Sequence, residues 1–242
     1  MSFSQLAWER SAASVGARAI AEVPFYRGRY AVGLGLSPVP SAELTDRLWS
    51  LCPIAHPYSP AREPTLWTGD PADLSAVLRI SGTGNTPVLE VRQSLVPWTR
   101  LGPRDYAPVL SASAVALDVS ALDTRARELA AGRRTVLIAP PDEVADVVRR
   151  TARHGPVIHR LTTPSGDIPA VLHDPRVGYF AALAPTCGHW HIPWRRFHVE
   201  GGADGLLVTA LRRRRPTLVR ILVPARGSIG LCPRHRTPVI KA

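Results

Sequence analysis

The sequence has little lysine, little cysteine and no long apolar run, and each shortage excludes a class of protein. Lys241 is the only lysine among 30 lysine and arginine residues. Three cysteines cannot all pair, which favours reduced thiols and metal binding over a disulfide framework. No run approaches the roughly eighteen apolar residues that span a bilayer. The sequence therefore predicts neither a disulfide scaffold nor a membrane protein.

Several sequence signals of common enzymes and of targeting are also missing. There is no nucleophile elbow, dinucleotide fingerprint or Walker phosphate loop. The first residues lack the apolar core of a signal peptide, and Glu9 and Glu22 weigh against a transit peptide. We therefore expect a cytoplasmic location and no membrane partner.

Composition indicates a globular protein with many loops. The chain has 242 residues, of which 45% are hydrophobic, and its mean hydropathy is near zero. This length and hydrophobic fraction are enough to bury one good core. Its 24 prolines predict short elements joined by loops.

The positive charge is carried almost entirely by arginine. The formal net charge is +11, and the densest cluster is Arg212 to Arg215. Such a surface attracts polyanions such as nucleic acid, acidic carrier proteins or the phosphates of coenzyme A. Aromatic residues make up only 6% of the chain, whereas nucleic-acid-binding domains usually add exposed aromatics or a recognition helix. We expect weak, nonspecific polyanion binding, and a solvated basic turn is the simpler interpretation.

Periodicity predicts an α/β layer followed by a β-rich end. Ser4 to Ala21 has apolar residues at helical intervals, and Pro24 ends that helix. Thr135 to Ala139 is a continuous apolar run, typical of a buried parallel strand. The other predicted elements are a short helix near Glu43 to Leu51, a strand at Pro87 to Val91, helices at Ser120 to Gly132 and Pro140 to Arg153, a strand at Pro156 to Leu161, and a strand, basic turn and second strand within Gly205 to Arg220.

These elements divide the chain into three segments of one globular unit. An N-terminal helix and its connection occupy residues 1–36. An α/β core occupies 37–175, and a β-rich, metal-binding end occupies 176–242.

Two short clusters of cysteine and histidine predict a metal site. Cys187-Gly-His189-Trp-His191 is followed later by Cys232-Pro-Arg-His235. Thiolate and imidazole suit tetrahedral zinc, and a ligand pair on each of two turns is typical of structural sites. The best four ligands are Cys187, His191, Cys232 and His235, while His189 competes with His191 for a place in this set. Since the spacing is not a stock zinc-finger spacing, two unrelated buried cysteines beside surface histidines are the alternative.

A turn rich in glycine and hydroxyl residues is the candidate phosphate loop. In Arg79-Ile-Ser-Gly-Thr-Gly-Asn-Thr-Pro87, small residues allow backbone N–H groups to approach phosphate oxygens, and the hydroxyls add donors. The same residue types also make ordinary turns. The candidate nucleotide-binding residues are Ser81, Gly82, Thr83, Gly84 and Thr86.

The order of these motifs resembles that of adenylate-forming enzymes of the phenylacetate-CoA ligase branch. Glu22 to Arg27 is similar to their VPFYR segment, and the loop at Ser81 is similar to their SSGTTGxP loop. The basic strand–turn–strand segment resembles their GELVVT and LVRYRTGD run. The two Cys/His clusters resemble the elements that precede and follow it. The resemblance implies a truncated large domain of an adenylate-forming enzyme, zinc on the four positions above, and a residual pocket for ATP, AMP or coenzyme A.

Departures from the family pattern predict a degenerate enzyme. The family's catalytic lysine lies on a small C-terminal domain, which we expect to be absent because Lys241 is the only lysine. No carboxylate follows Gly178-Tyr179, where the resemblance implies a magnesium-binding glutamate, and Ala225 stands where it implies a ribose-binding aspartate. Nucleotidyl transfer depends on positioned cations, so losing these groups together is severe.

Three functions follow from these features. The favoured one is a non-catalytic or partner-dependent accessory factor with a residual acyl or nucleotide pocket, working with a biosynthetic enzyme or an acyl carrier protein in specialised biosynthesis. An alternative is an acyl- or aryl-acid adenylating ligase whose missing lysine comes from a partner chain. The third is a zinc-stapled basic module that binds nucleic acid.

Overall fold

Two β-sheets and five α-helices make up the part of the chain that the computed structural model describes, which is residues 2–51, 71–84, 88–92, 109–111, 114–118, 136–151, 156–166, 168–213 and 215–241. The helices are α1 (Gln5–Glu22), α2 (Pro24–Ala31), α3 (Leu48–Leu51), α4 (Pro71–Ile80) and α5 (Pro141–Thr151), with a 3-10 helix at Ser41–Arg47. The strands are β1 (Val39–Pro40), β2 (Val88–Arg92), β3 (Val109–Ser111), β4 (Ala114–Asp118), β5 (Val136–Ala139), β6 (Val157–Leu161), β7 (Ala170–Asp174), β8 (Gly178–Ala184), β9 (His189–His191), β10 (Phe197–Gly201), β11 (Leu206–Ala210), β12 (Ile221–Val223), β13 (Ser228–Leu231) and β14 (Pro238–Lys241).

The larger sheet is mixed, with a parallel centre and an antiparallel wing. Its described strands run in the order β13-β14-β9-β8-β7-β6-β5-β2-β4-β3. Strands β7, β6, β5, β2 and β4 pair in parallel, whereas β7 to β8 and the strands beyond it pair antiparallel. All four residues of β5 are buried, as the continuous apolar run predicts. The predicted α/β layer is therefore confirmed.

A smaller sheet and the N-terminal helices enclose the main apolar core. The described strands of this sheet run in the order β1-β12-β11-β10. The indole Nε1 of Trp8 on α1 donates a 2.8 Å hydrogen bond to the Phe197 carbonyl on β10. Both side chains belong to one buried cluster that spans the two helices and both sheets. Burial of this shared apolar surface holds the three layers together.

The boundary between α1 and α2 follows from local chemistry. The Ser4 hydroxyl accepts a hydrogen bond from the Ala7 N–H and caps α1, close to the predicted start. At the other end Val23 is extended and Pro24 opens α2, where its missing N–H costs no helical hydrogen bond. The prediction that Pro24 ends the first helix is confirmed.

The second strand of the basic hairpin begins later than predicted. The buried Tyr26 hydroxyl donates to the Thr217 carbonyl at 2.9 Å and accepts from the Val219 N–H at 3.0 Å. Arg220 then adopts a positive φ of 51°, so the ladder with β11 starts only at Ile221. A strand ending at Arg220 was the wrong prediction, because the left-handed Arg220 interrupts the ladder, and before it β11 is joined to this segment by the hydrogen bond from the Ala210 N–H to the Leu218 carbonyl. The predicted helix at Ser120 to Gly132 lies outside the described residues.

A buried carboxylate ties α4 to the C-terminal half of the chain. Asp73, in the first turn of α4, is only 2% exposed. Its carboxylate accepts hydrogen bonds from the Arg196 Nε and, at 3.2 Å, from an Arg213 Nη. The Arg213 guanidinium also donates to the Val177 carbonyl, and this side chain is itself buried. Arg213 therefore belongs to the interior and not to a solvated basic turn.

We expect Asp73→Ala to destabilise the fold by about 3 to 5 kcal/mol, because it removes the buried carboxylate that binds the Arg196 and Arg213 guanidinium groups. The free energy of unfolding in urea measures the loss. Asp142→Ala is the matched control, since Asp142 also lies in the first turn of a helix but is exposed, and it should cost less than about 1 kcal/mol. Equal losses in the two variants would contradict a structural role for the Asp73 carboxylate.

Candidate metal centre

Two hairpin turns at one end of the antiparallel wing carry the cysteine and histidine pairs. In the turn between β8 and β9, the Cys187 and Gly188 N–H groups donate to the Ala184 carbonyl, and Gly188 has a φ of +67° that favours glycine. In the turn between β13 and β14, the Cys232 N–H donates to the Thr237 carbonyl. Since β9 pairs with β14, with His191 opposite Val239, the two turns lie side by side.

This arrangement brings together the four predicted ligands. One ligand atom from each of Cys187, His191, Cys232 and His235 lies within 4.8 Å of all the others. Cys187 Sγ is 3.1 Å from His191 Nε2, and Cys232 Sγ is 3.4 Å from His235 Nδ1. A tetrahedral ion with metal–sulfur bonds of about 2.3 Å and metal–nitrogen bonds of about 2.0 Å needs ligand atoms at similar separations. The four residues are therefore positioned to bind one metal ion.

The side chains around His191 prepare it to act as a ligand. Its Nδ1 is 3.0 Å from the Thr237 hydroxyl, which leaves Nε2 facing Cys187. Burial, with smaller contributions from the nearby His235 and His189, lowers the pKa of His191 to about 4. The imidazole is then neutral near pH 7, which is the form that binds metals. Burial also raises the pKa of Cys187, so metal binding there must displace a thiol proton.

The structure separates the two competing histidines. His189 Nδ1 lies 2.6 Å from the Cys187 carbonyl, and this residue is not in the four-residue group. His189 and His191 are two residues apart on β9 and therefore lie on the same face of the strand, so the contacts of each ring, and not strand alternation, select His191. Sequence reasoning missed Thr237 as a partner of His191, although a hydroxyl two residues after His235 was a signal that could have identified it.

The candidate phosphate loop forms the C-terminal cap of α4. The backbone N–H groups of Ser81 and Gly82 donate to carbonyls of α4, and those of Thr83 and Gly84 both donate to the Leu78 carbonyl. The hydroxyls of Ser81 and Thr83 also donate to the Leu78 carbonyl, at 3.0 and 3.2 Å. The described donors from Ser81 to Gly84 are thus directed at the helix end, which carries the negative end of the helix dipole. Nucleotide binding by Ser81, Gly82, Thr83 and Gly84 stays a prediction, and Thr86 lies outside the described residues.

The positions at which the sequence departs from the resembled pattern lie in the interior or at the end of a strand. Ala225 is fully buried within the main apolar cluster. All seven residues of β8, which begins at Gly178 and Tyr179, are buried. Lys241 is exposed at the end of β14, paired with Ser228 of the neighbouring strand. In the part of the chain that the structure describes, every helix is too short or too polar to cross a bilayer.

We expect the purified protein to contain about one tightly bound metal ion per chain, and Cys232→Ala to lose both the ion and thermal stability, because metal binding is coupled to folding. Elemental analysis and melting curves measure the two effects. Cys52→Ala is the control, since this third cysteine is outside the four-residue group and outside the described residues. His191→Ala should lose the metal and His189→Ala should keep it. Metal-free protein that melts like the wild type would rule out the site.

The hydrogen bond between the Thr237 hydroxyl and His191 Nδ1 leads to a separate prediction. Thr237→Val keeps the shape of the side chain but removes the hydroxyl that orients His191, so metal affinity should fall by about 10- to 100-fold. Competition with a chelator measures this affinity. Thr163→Val, at an exposed position after β6, should leave it unchanged.

The comparisons with known proteins identify the fold. No family model and no curated protein matches the sequence. Among solved structures, the chain is similar to the crystal structure of an open conformation of 2-hydroxyisobutyryl-CoA ligase in complex with 2-HIB-AMP and CoA. The identity is 13%, the match covers 94% of this chain and 71% of that chain, and the TM-score is 0.57. The chain therefore shares the mixed α/β fold of a CoA ligase, whereas the phenylacetate-CoA ligase branch is not distinguished.

Proposed function

We propose that this protein is a non-catalytic accessory factor built on a ligase-like fold, with a structural zinc ion at its C-terminal end and a retained pocket for an acyl or nucleotide ligand. The observation that carries the proposal is the loop from Ser81 to Gly84. Its N–H and hydroxyl donors are engaged by the end of α4, so a phosphate would have to displace the helix cap before it could bind there.

Replacement of polar catalytic groups by apolar core supports the same proposal. At Ala225 a buried methyl group stands where the resemblance implies a carboxylate on the ribose. After Tyr179 the chain continues as a buried strand through Ala181 and Ala182, where the resemblance implies a magnesium ligand. A buried aspartate or glutamate at these positions would need a charged partner, and the neighbouring side chains in the core are apolar. Alanine at these positions would therefore both remove the groups needed for catalysis and pack well in the core.

The donor set supports zinc as the metal and a structural role for it. Two thiolates and two imidazoles complete a tetrahedral shell, so no position remains for a substrate or a reactive water. Zinc bound there would hold the two hairpin turns together, through Cys187 and His191 on one side and Cys232 and His235 on the other. Its contribution would be to the stability of the antiparallel wing.

The charge of the protein supports an acidic partner. The formal net charge is +11, and Arg195, Arg212, Arg234 and Arg236, all close in sequence to the metal ligands or the basic turn, are exposed. An acyl carrier protein or an acidic biosynthetic enzyme fits this surface by long-range attraction. Nucleic acid is less well supported, because Arg213 of the basic cluster is engaged with Asp73 in the interior.

We expect the purified chain to show no exchange of pyrophosphate into ATP with any aryl or alkyl acid, because the lysine, the magnesium carboxylate and the ribose-binding aspartate are all missing. The assay uses radiolabelled pyrophosphate and the metal-loaded protein. Weak binding of an acyl-adenylate or of coenzyme A, measured by calorimetry, is compatible with this expectation.

Two outcomes of the exchange assay would change the assignment. Robust exchange by the protein alone, abolished by Ser81→Ala with Thr83→Ala, would overturn the accessory role and establish a ligase. Exchange that appears only when a second protein is added would place the missing lysine on that partner. Ser75→Ala, earlier on α4, is the control for nonspecific effects of removing a hydroxyl from this helix.

A further inference from the structure

A cavity of about 560 Å³ lies against the metal centre and has no assigned role. Its walls come from α4, from β9 with the turn that follows it, and from Arg212 at the end of the β11 strand. The volume is typical of sites that enclose a small organic molecule. His191 and Thr237, which contact each other in the metal centre, also line it.

The charge of the lining is of one sign. Four arginines line the cavity, Arg79, Arg195, Arg196 and Arg212, and the described lining residues include no carboxylate. Asp73 lies behind the wall, is almost fully buried, and faces Arg196 together with Arg213. The Arg79, Arg195 and Arg212 side chains are exposed at the opening. A concave surface lined by guanidinium groups concentrates the field and attracts anions.

The rest of the lining is apolar. Ile80 and Ile192 contribute aliphatic surface, and Trp194 contributes an aromatic ring, with the Arg195 guanidinium carbon 5.1 Å from that ring's centroid. The Trp194 ring also packs edge-on against the Phe3 ring, with 5.4 Å between the ring centroids. This contact helps to orient the Trp194 side chain. An apolar wall beside a cluster of guanidinium groups matches a ligand with an apolar body and one anionic end.

The wall next to the metal centre is hydrogen-bonded to the neighbouring strand. The Ile192 N–H donates to the Pro238 carbonyl, which extends the β9–β14 pairing past the end of β9. A metal ion on His191 Nε2 would fix the same ring that forms part of the wall. His191 and Ile192 are thus held in place by backbone pairing with β14 and the residue before it, which lowers the cost of ordering this part of the wall when a ligand binds.

We propose that this cavity binds a small organic anion. Its carboxylate or phosphate group contacts Arg79, Arg195 and Arg212, and its apolar body packs on Trp194 and Ile192. This inference rests on one part of the proposed function, namely that the protein binds a ligand without converting it. Carboxylate and phosphate share the chemistry that a guanidinium recognises, and the choice of probes distinguishes them.

Calorimetry with the metal-loaded, full-length protein tests the site. The probes are benzoate, phenyl phosphate and the neutral benzamide. At least one of the two anions should bind about tenfold or more tightly than benzamide, because a charge-assisted hydrogen bond contributes about 1.5 to 3 kcal/mol. The anion that binds more tightly identifies the preferred head group.

Two double variants with the same loss of charge separate local contact from the general field. Arg79→Ser with Arg212→Ser should weaken anion binding at least about tenfold. Arg10→Ser with Arg226→Ser, exposed positions on α1 and before β13, should change it by less than about twofold. All four positions are exposed, so both proteins should fold, which circular dichroism and a melting curve check.

Three results would overturn the inference. They are no binding of either anion at millimolar concentration, equal affinity for benzamide and the anions, and equal weakening in the two double variants. None of these bears on the pyrophosphate exchange assay, so failure of the anion site and failure of the non-catalytic assignment are distinguishable.

Discussion

The antiparallel pairing of β9 with β14 is the contact on which the metal centre and the adjoining cavity both depend. It places Trp190 opposite Ile240 and His191 opposite Val239, joining segments that are far apart in the chain. Trp190 and Ile240 are buried in the main apolar cluster, so the pairing is stabilised by the same core that holds the N-terminal helices. A metal ion across the two turns would add a cross-link to a register already set by packing.

Arginine serves two different purposes in this fold. Arg196 and Arg213 lie inward on the Asp73 carboxylate, where a planar, permanently charged group with several donors is suited to a buried pair. Arg79 and Arg212 stay exposed beside an apolar cavity. Adjacent residues such as Arg212 and Arg213 thus differ completely in environment. The net charge of the chain alone does not indicate which arginines are available to a ligand.

The positions that the sequence resemblance assigns to the nucleotide site are part of the scaffold. The hydroxyls of Ser81 and Thr83 close the end of α4, and Ala225 fills the core. Each of these arrangements satisfies the local rules of folding, with a capped helix and an apolar interior. Under the proposed function these positions contribute to folding, because charge stabilisation in a transition state needs polar groups that face the reacting atoms.

Features that depend on neighbouring residues could be predicted from the sequence. The first helix was expected over Ser4 to Ala21 and is found at Gln5–Glu22, because an amphipathic repeat and a capping serine act within a few residues. The apolar run of β5 and the two Cys/His pairs of the candidate metal centre were predicted for the same reason, since the members of each pair are at most four residues apart. The late start of β12 was not predictable, because it accompanies a left-handed Arg220 in a segment whose backbone bonds to Tyr26, 191 residues before Thr217.

Three features could be predicted from the sequence alone: the helical and strand periodicity, the two Cys/His pairs and the preference for arginine. All three are properties of short stretches of chain. Three other features are visible only in the tertiary structure. Asp73 pairs with Arg196 and Arg213, the donors from Ser81 to Gly84 bond to α4, and a cavity lies beside His191. The physical reason is that these contacts join residues brought together by burial of the shared core. Their energies depend on distances and solvent exposure, which no local pattern encodes.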